Sequence, residues 1–383
     1  MKIVVSVVGR FHAFDLAYQF QKHFVLKKLI TTYPKYITKK WGIPSDLIHS
    51  NLFLEFIRRY LFGRLSGNLK VKINSYIQNK HAISILKYID QVDVFIGWSG
   101  SSLKAIQEAK SKNIITILER GSSHYSYQME ILKQEYLKYN LKFTPDHKQW
   151  ERELQEYELA DYISVPSKFV YSTFLQYGIS EKKLLVNNYG VNLNQFKKIP
   201  KEDSVFRVIY AGGFTIRKGV EYLLKAFTEL NLPNSELVHL GSLPDETLQI
   251  RKKYNSSNIK YLGHKNQSDL YKYYSQGSVF VHASIEEGLS MVLPQAMACG
   301  LPIICSENTG GADLISDQGK EGFVFKVRDV EALKAYILFC YENPDALKKM
   351  SKYALERVQT GFSWDDYGNR YMENINKLMA SEQ

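Results

Sequence analysis

Residues 285–302 read IEEGLSMVLPQAMACGLP. A β-branched apolar run precedes the stretch, Val279–Ala283, and another closes it, Pro302–Cys305. Between the two runs the sequence predicts a short helix. Pro294 suits its first turn, where a missing N–H costs nothing, and Gly300 suits the position just past its end. Strand, glycine loop, helix and strand make the repeating unit of a parallel sheet covered by helices. Glu287 then hangs in the loop at a strand's carboxyl end, beside Gly288, and Gln295 falls in the first turn of the following helix. Both point into one cleft, a sugar length apart. A carboxylate there accepts two hydroxyl hydrogen bonds, and an amide both accepts and donates.

The same alternation runs through the whole chain. Strands are predicted at Ile3–Val8, Leu29–Thr32, Val94–Gly97, Ile114–Leu118, Tyr162–Val165 and Leu184–Asn187. Six more follow at Arg207–Ala211, Glu236–Leu240, Ile259–Leu262, Val279–Ala283, Pro302–Cys305 and Gly322–Phe325. A polar, proline-containing break at Asn192–Glu202 separates the two sets. At 383 residues the chain is long for one core, and two domains of similar size are expected. The reading is α/β, with doubly wound domains at 1–195 and 196–363 and a last helix at 364–383 packing back on the first. One stretch, 36–80, is irregular. It holds FLEFIRRYLFGRL at 53–65, where Arg58, Arg59 and Arg64 interleave with aromatics and leucines at helical spacing. That pattern reads equally as a core-facing helix with a solvated basic edge or as a membrane-surface helix.

Open parallel sheets bind ligands beyond the carboxyl ends of their strands. After the first strand comes Gly9-Arg10-Phe11-His12, a single glycine turn and not the G-x-G-x-x-G of a dinucleotide-binding dehydrogenase. After the fourth comes Glu119-Arg120-Gly121-Ser122-Ser123-His124, in which His124 is either an ordinary loop histidine or a polar contact reaching the cleft. After Arg207–Ala211 comes Gly212-Gly213-Phe214-Thr215-Ile216-Arg217-Lys218-Gly219, just before a helical stretch. The glycines let backbone approach a ligand closely, and the cation pair faces a helix N-terminus whose free N–H groups favour anions. This is a phosphate site without a Walker loop. Gly263-His264-Lys265 and Asn308-Thr309-Gly310-Gly311 add further turns on the same edge.

Taken together, residues 163–324 resemble a retaining glycosyltransferase of family 4, with the GT-B fold of two Rossmann-like domains facing a central cleft. The resemblance is carried by Val165-Pro166-Ser167, Asn188-Tyr189-Gly190-Val191-Asn192 with Phe196, Gly213 with Arg217-Lys218-Gly219, Gly263, Glu287-Gly288, Ala296–Gly300 and Gly310-Gly311. Phe362-Ser363-Trp364 extends it. It implies that Arg217 and Lys218 neutralise a donor diphosphate and that Glu287 binds the donor sugar's hydroxyls. The second position of the family's E-x7-E, a ribose contact, is Gln295 here, a weaker acceptor than a carboxylate. His124 is implied as a first-domain cleft histidine. Donor and substrate contacts are implied at Gly9, Arg10, Gly213, Gly263, His264, Lys265, Gly288, Leu289 and Ser290.

The implied partners are a nucleotide-diphosphate sugar and a glycan or lipid-linked acceptor, as in cell-surface polysaccharide or glycolipid synthesis. No D-x-D occurs in the sequence, so metal-free leaving-group activation and no cofactor are expected. The rival readings are a non-catalytic nucleotide- or glycan-binding subunit and another GT-B activity, a phosphorylase or an epimerase. Net charge is +11, but residues 1–200 hold 29 Lys and Arg against 16 Asp and Glu, a balance of +13, and the remainder carries −2. The basic half suits an anionic membrane surface, and no nucleic-acid recognition module accompanies it. Three cysteines in no ligand spacing fit a reducing compartment, and no apolar run reaches a membrane span of about 18 residues. A cytoplasmic location is expected, peripheral to the membrane at most.

Overall fold

The computed structural model describes residues 1–61, 65 and 67–381. Two parallel sheets organise it. The first contains β1 (Ile3–Val7), β2 (Leu26–Thr31), β3 (Ile48–Ser50), β4 (Val94–Trp98), β5 (Ile115–Glu119), β6 (Tyr162–Val165) and β7 (Leu184–Val186), in the order β3-β2-β1-β4-β5-β6-β7. The second contains β8 (Phe206–Ala211), β9 (Ser235–Leu240), β10 (Ile259–Tyr261), β11 (Val279–His282), β12 (Ile303–Ser306) and β13 (Gly322–Phe325), in the order β10-β9-β8-β11-β12-β13. In each sheet the order reverses beside the first strand. That reversal opens a crevice at the carboxyl ends, where such sheets bind ligands. The central strands are buried along their whole length, β1 and β4 at every residue. Continuous apolar runs such as IVVSV are what a sheet with both faces covered requires.

The first sheet has seven strands where the sequence predicts six. The extra one, β3, lies in the stretch read as irregular. Its three residues pair with β2 alone, Leu29 with Ile48 and Thr31 with Ser50, so it is too short to show alternation. The segment read as one helix over 53–65 is instead an α-helix, Leu52–Phe56, continued by a π-helical turn, Ile57–Leu61. Arg64 lies outside the described residues.

Five helices place the site: α1 (Ala13–Lys22), α2 (Tyr125–Lys138), α3 (Val220–Leu230), α4 (Val292–Ala298) and α5 (Trp364–Ser381). The chain passes from the first sheet to the second between Val186 and Phe206. It returns at Phe362, whose carbonyl accepts from the Val191 amide at 2.8 Å, so the two crossings run side by side. In α5, Tyr367, Tyr371 and Ile375 are buried. Their i, i+4, i+8 spacing makes one helical face, and it lies on α1, with Phe20 and Tyr371 edge to face at 5.5 Å. The Tyr371 hydroxyl reaches the buried Glu119 carboxylate at 2.7 Å. Helix α5 is therefore an element of the first domain although it ends the chain.

The two domains touch directly. Glu135 on α2 accepts from the Tyr222 hydroxyl at 2.6 Å and from Arg328 Nε at 2.7 Å. The Ser167 hydroxyl donates to the Gly288 carbonyl at 2.8 Å. These contacts close one side of the cleft. The other side opens into a cavity of about 900 Å³ whose lining includes Arg10, Trp41, Asn192, Gln267 and Gln295.

Candidate active site

The phosphate-site motif leaves β8 through Gly212 and Gly213 and makes a single 3-10 turn, Ile216–Lys218. Gly219 then caps α3 in the left-handed region, φ +62°. A Cβ on Gly219 would lie 1.9 Å from the Ala283 carbonyl, so only glycine lets this turn press onto the end of β11. The Ile285 amide bonds the Arg217 carbonyl at 2.8 Å and fixes that contact. Arg217 and Lys218 are thereby delivered to the loop that carries Glu286 and Glu287.

Four charges meet there. Lys218 Nζ is paired with Glu287 Oε1. Arg217 Nε bonds both the Glu286 carbonyl and its Oε2 at 3.1 Å, and Nη2 lies 3.0 Å from Oε2 and 3.6 Å from Glu287 Oε1. Burial alone would raise the Glu287 carboxyl, but the charges on Lys218 and Arg217 outweigh it and hold the group down to about 2. His282, at the end of β11, is fully enclosed; burial pushes it down to about 3, so it is a neutral hydrogen-bond partner of Ser284. The cluster is two cations balanced by two carboxylates, with the Arg217 side chain one-third exposed. A polyanion entering here meets cations already ordered and partly dehydrated.

Gly288 is the point where this loop touches the first domain. A Cβ on it would lie 1.9 Å from the Gly121 carbonyl, so any larger residue would push the two domains apart. Leu289 and Ser290 follow it, both buried, with the Ser290 amide 3.3 Å from the Thr309 carbonyl. Helix α4 then begins as the sequence predicts. Gly300 stands past its end at φ +77°, with its N–H on the Met297 carbonyl and that of Leu301 on the Ala296 carbonyl. Gln295 faces the 900 Å³ cavity. Its side-chain amide takes no protein partner among the described residues, while its backbone N–H donates to the Met291 carbonyl.

Across that cavity the first-domain loop supplies Arg10; Gly9, at φ +92°, turns the chain behind it with its amide on the Thr32 hydroxyl and is not part of the lining. The Arg10 guanidinium lies over the Trp41 ring at 4.5 Å and approaches Gln267 Oε1 at 3.5 Å, reaching from one domain to the other. Phe11, next in the loop, is 66% exposed and left-handed, φ +43°. Asp15, one turn into α1, shares the cavity lining; burial pushes its carboxyl up to about 6 against the pull of Arg10 and His12.

Other expected residues are placed elsewhere. His124 does not reach the cleft. It caps α2 by accepting from the Ser126 amide at 3.3 Å, and its ring stacks on Tyr177 at 4.5 Å beside Tyr157 and Phe174. Burial pushes it down to about 4, so it is neutral. The polar groups that this loop does send toward the second domain belong to Ser123. Gly263 turns with φ +69°, but the side chains of His264 and Lys265 line a separate groove of about 740 Å³ on the second sheet, with Ile209, Val238 and Leu262. Gly213 keeps an ordinary backbone, while Gly212 takes the positive φ of +136°. Sequence reasoning missed Glu286, Asp15, Trp41 and Gln267. The Glu286-Glu287 doublet is the visible signal for the first; Asp15 and Trp41 gather around Arg10 by packing within the first domain, and Gln267 joins them from the second.

The family model for glycosyl transferases group 1 matches residues 191–357. A probable sucrose-phosphate synthase of Thermosipho melanesiensis is 25% identical over 73% of the chain and 64% of its own length. The O-antigen chain mannosyltransferase B of Escherichia coli is 27% identical over 41% of the chain and 42% of its own length. The chain thus spans about two fifths to two thirds of the length of these relatives. Among solved structures, the sucrose-phosphate synthase of Thermosynechococcus elongatus superimposes with a TM-score of 0.74 at 19% identity, covering 100% of both chains. Anabaena HepE, in complex with UDP and glucose, gives 0.71 at 15% identity, covering 98% of this chain and 99% of its own. The fold is GT-B.

The balanced cluster has a pH signature. Glu287 is held well below the ordinary carboxylate value of 4.5 in the folded state. Its contribution to stability is therefore complete above pH 4.5 and is lost as pH falls toward 2. Glu287→Gln should lower the melting temperature at pH 7, and the gap from wild type should shrink as pH falls from 5 to 3. A gap independent of pH in thermal unfolding scans would show that Glu287 is not ion-paired.

Proposed function

We propose, from the match of residues 191–357 to the family model for group 1 glycosyl transferases, that the chain transfers a sugar from a nucleoside-diphosphate sugar to a hydroxyl acceptor with retention of configuration. One observation carries this reading. An ordered Arg217-Lys218 pair and Glu287 stand together at the carboxyl edge of the second sheet, beside the first domain. The donor's diphosphate would engage Arg217 and draw Lys218 off Glu287. Glu287, so released, would accept hydrogen bonds from the transferred sugar. As the bond from the sugar's anomeric carbon to the diphosphate oxygen breaks, both cations take up the charge that develops on the leaving group. The acceptor oxygen forms the new bond on the same face and its proton passes to the departing phosphate. Gln295, in the first turn of α4 and lining the adjoining cavity, would meet the ribose. With two fixed cations at the leaving group, the reaction is proposed to need no metal.

Nucleoside diphosphate released from UDP-, GDP- and ADP-sugars tests the assignment. A thermal-shift screen chooses the donor first, since ligand binding raises apparent stability. Replacing Arg217 and Lys218 by Ala should cut turnover on the order of 10²-fold or more while the protein stays folded. EDTA should change little, and Gln295→Glu should leave activity equal or higher. Near-normal turnover in the double variant would overturn the leaving-group role. No release from any donor would favour a binding subunit.

For the acceptor we propose a glycan or lipid-linked sugar held by the first domain, at a face that meets a membrane surface through apolar residues. Phe53, Phe56, Tyr60 and Leu61 are exposed on the α-to-π segment, and Leu69 is exposed nearby. Arg58 and Arg59, by contrast, are both bonded to the buried Glu55 and anchor the segment, so they are not free to seek lipid headgroups. Wild type should float with vesicles containing anionic lipid. Phe53→Ser with Phe56→Ser should weaken that binding about tenfold, since interfacial affinity scales with buried apolar area, and leave nucleotide binding unchanged. A wild type that stays in solution at low salt would point to a soluble acceptor.

A further inference from the structure

Glu286 is fully enclosed, yet the reaction proposed above gives it no task. Each of its oxygens is occupied, and the partners come from both domains. Oε1 accepts from the Ser123 amide at 2.9 Å and from the Ser123 hydroxyl at 2.7 Å. Oε2 accepts from Gln128 Nε2 at 2.8 Å and from Arg217 Nε at 3.1 Å, with Arg217 Nη2 at 3.0 Å. Its carbonyl takes a further bond from Arg217 Nε. Ser123 and Gln128 belong to the loop after β5 and to α2; Arg217 and Glu286 belong to the second domain. Gln128 cannot turn its amide round, because its Oε1 accepts from Arg120 Nη2 at 3.0 Å. Arg120 is itself buried and paired with Glu153 at 2.7 Å. The side chain that presents an N–H to Glu286 is therefore fixed from behind.

The arrangement treats the two edges of Arg217 differently. Glu286 holds Nε and Nη2, whereas Nη1 has no protein partner among the described residues. A guanidinium gripped along one edge has its plane set, and its remaining N–H groups form a ready fork for phosphate oxygens. The same carboxylate that sets this plane is completed only when Ser123 and Gln128 arrive from the first domain. An enclosed carboxylate stripped of those donors would be left with unmet hydrogen bonds, which is costly in a low-dielectric site.

We propose that Glu286 is a positioning residue with two separate tasks: it aligns Arg217 for the donor diphosphate through bonds within the second domain, and it clamps the first domain to the second through Ser123 and Gln128. The proposal rests on the donor-site reading above. It makes the two consequences of Glu286 separable, because different partners carry them. Opening the domains alone should leave the diphosphate contact largely intact and impair transfer. Loosening Arg217 should impair both.

The experiment compares the full-length wild type with Glu286→Gln and with a Ser123→Ala/Gln128→Met double variant; Ser123→Ala alone serves if the double variant melts early. Inorganic pyrophosphate and UDP are titrated calorimetrically, and hydrogen exchange is read at the amides of 123–128. Exchange there should quicken several-fold in both variants. Glu286→Gln should bind pyrophosphate and UDP about tenfold more weakly, the scale of one charge-assisted contact. The double variant should bind both within twofold of wild type, yet turn over the donor about tenfold more slowly at an unchanged KM. Wild-type affinity in Glu286→Gln, or unchanged exchange in both variants, would overturn the proposal while the donor-site reading stands. A wild type that binds neither pyrophosphate nor UDP would overturn the donor-site reading and this proposal together.

Discussion

Two cations and two carboxylates meeting at the end of β11 are the constraint on which the rest of the site depends. Arg217 and Lys218 could not stand side by side, partly buried, without opposite charge nearby. Glu286 and Glu287 provide it, and the turn that brings them together tolerates only glycine at position 219. Because the charges balance, the site is ordered before any ligand arrives. A diphosphate need not pay the full cost of gathering the cations, only that of displacing a carboxylate from Lys218.

The fold makes this cluster a cleft rather than a surface feature. Gly288 and Gly121 approach backbone to backbone, and Ser167 holds the Gly288 carbonyl. Helix α2 adds its own bonds to the second domain through Glu135 and Tyr136. The returning helix α5 ties the end of the chain to α1 and to Glu119. Movement of one domain against the other must therefore pass through residues that also organise the charged cluster.

Much of this was legible in the sequence, for identifiable reasons. Twelve of the strands show as β-branched runs because central strands of covered sheets are apolar on both faces; β3 does not, being three residues at an edge. The helix from Val292 and its glycine stop follow from local chemistry at Pro294 and Gly300. Arg217, Lys218 and Glu287 are legible through spacing and through the resemblance to family 4. The failures are tertiary. His124 occurs in a loop that leads to the cleft, but its ring turns into an aromatic pocket and Ser123 takes the polar contact instead. His264 and Lys265 follow β10 as expected, yet their side chains line a groove on the sheet face. Arg58 and Arg59 look like free surface charge in the sequence and are bound to a buried glutamate in the fold. No local pattern discloses a partner that comes from a distant segment.

The account is tested most directly by a crystal structure of the chain grown with UDP. It predicts diphosphate oxygens within hydrogen-bond distance of the Arg217 guanidinium and the Lys218 ammonium, with Glu287 no longer paired to Lys218. Diphosphate density in the groove beside His264 and Lys265, with the Lys218–Glu287 pair intact, would contradict it.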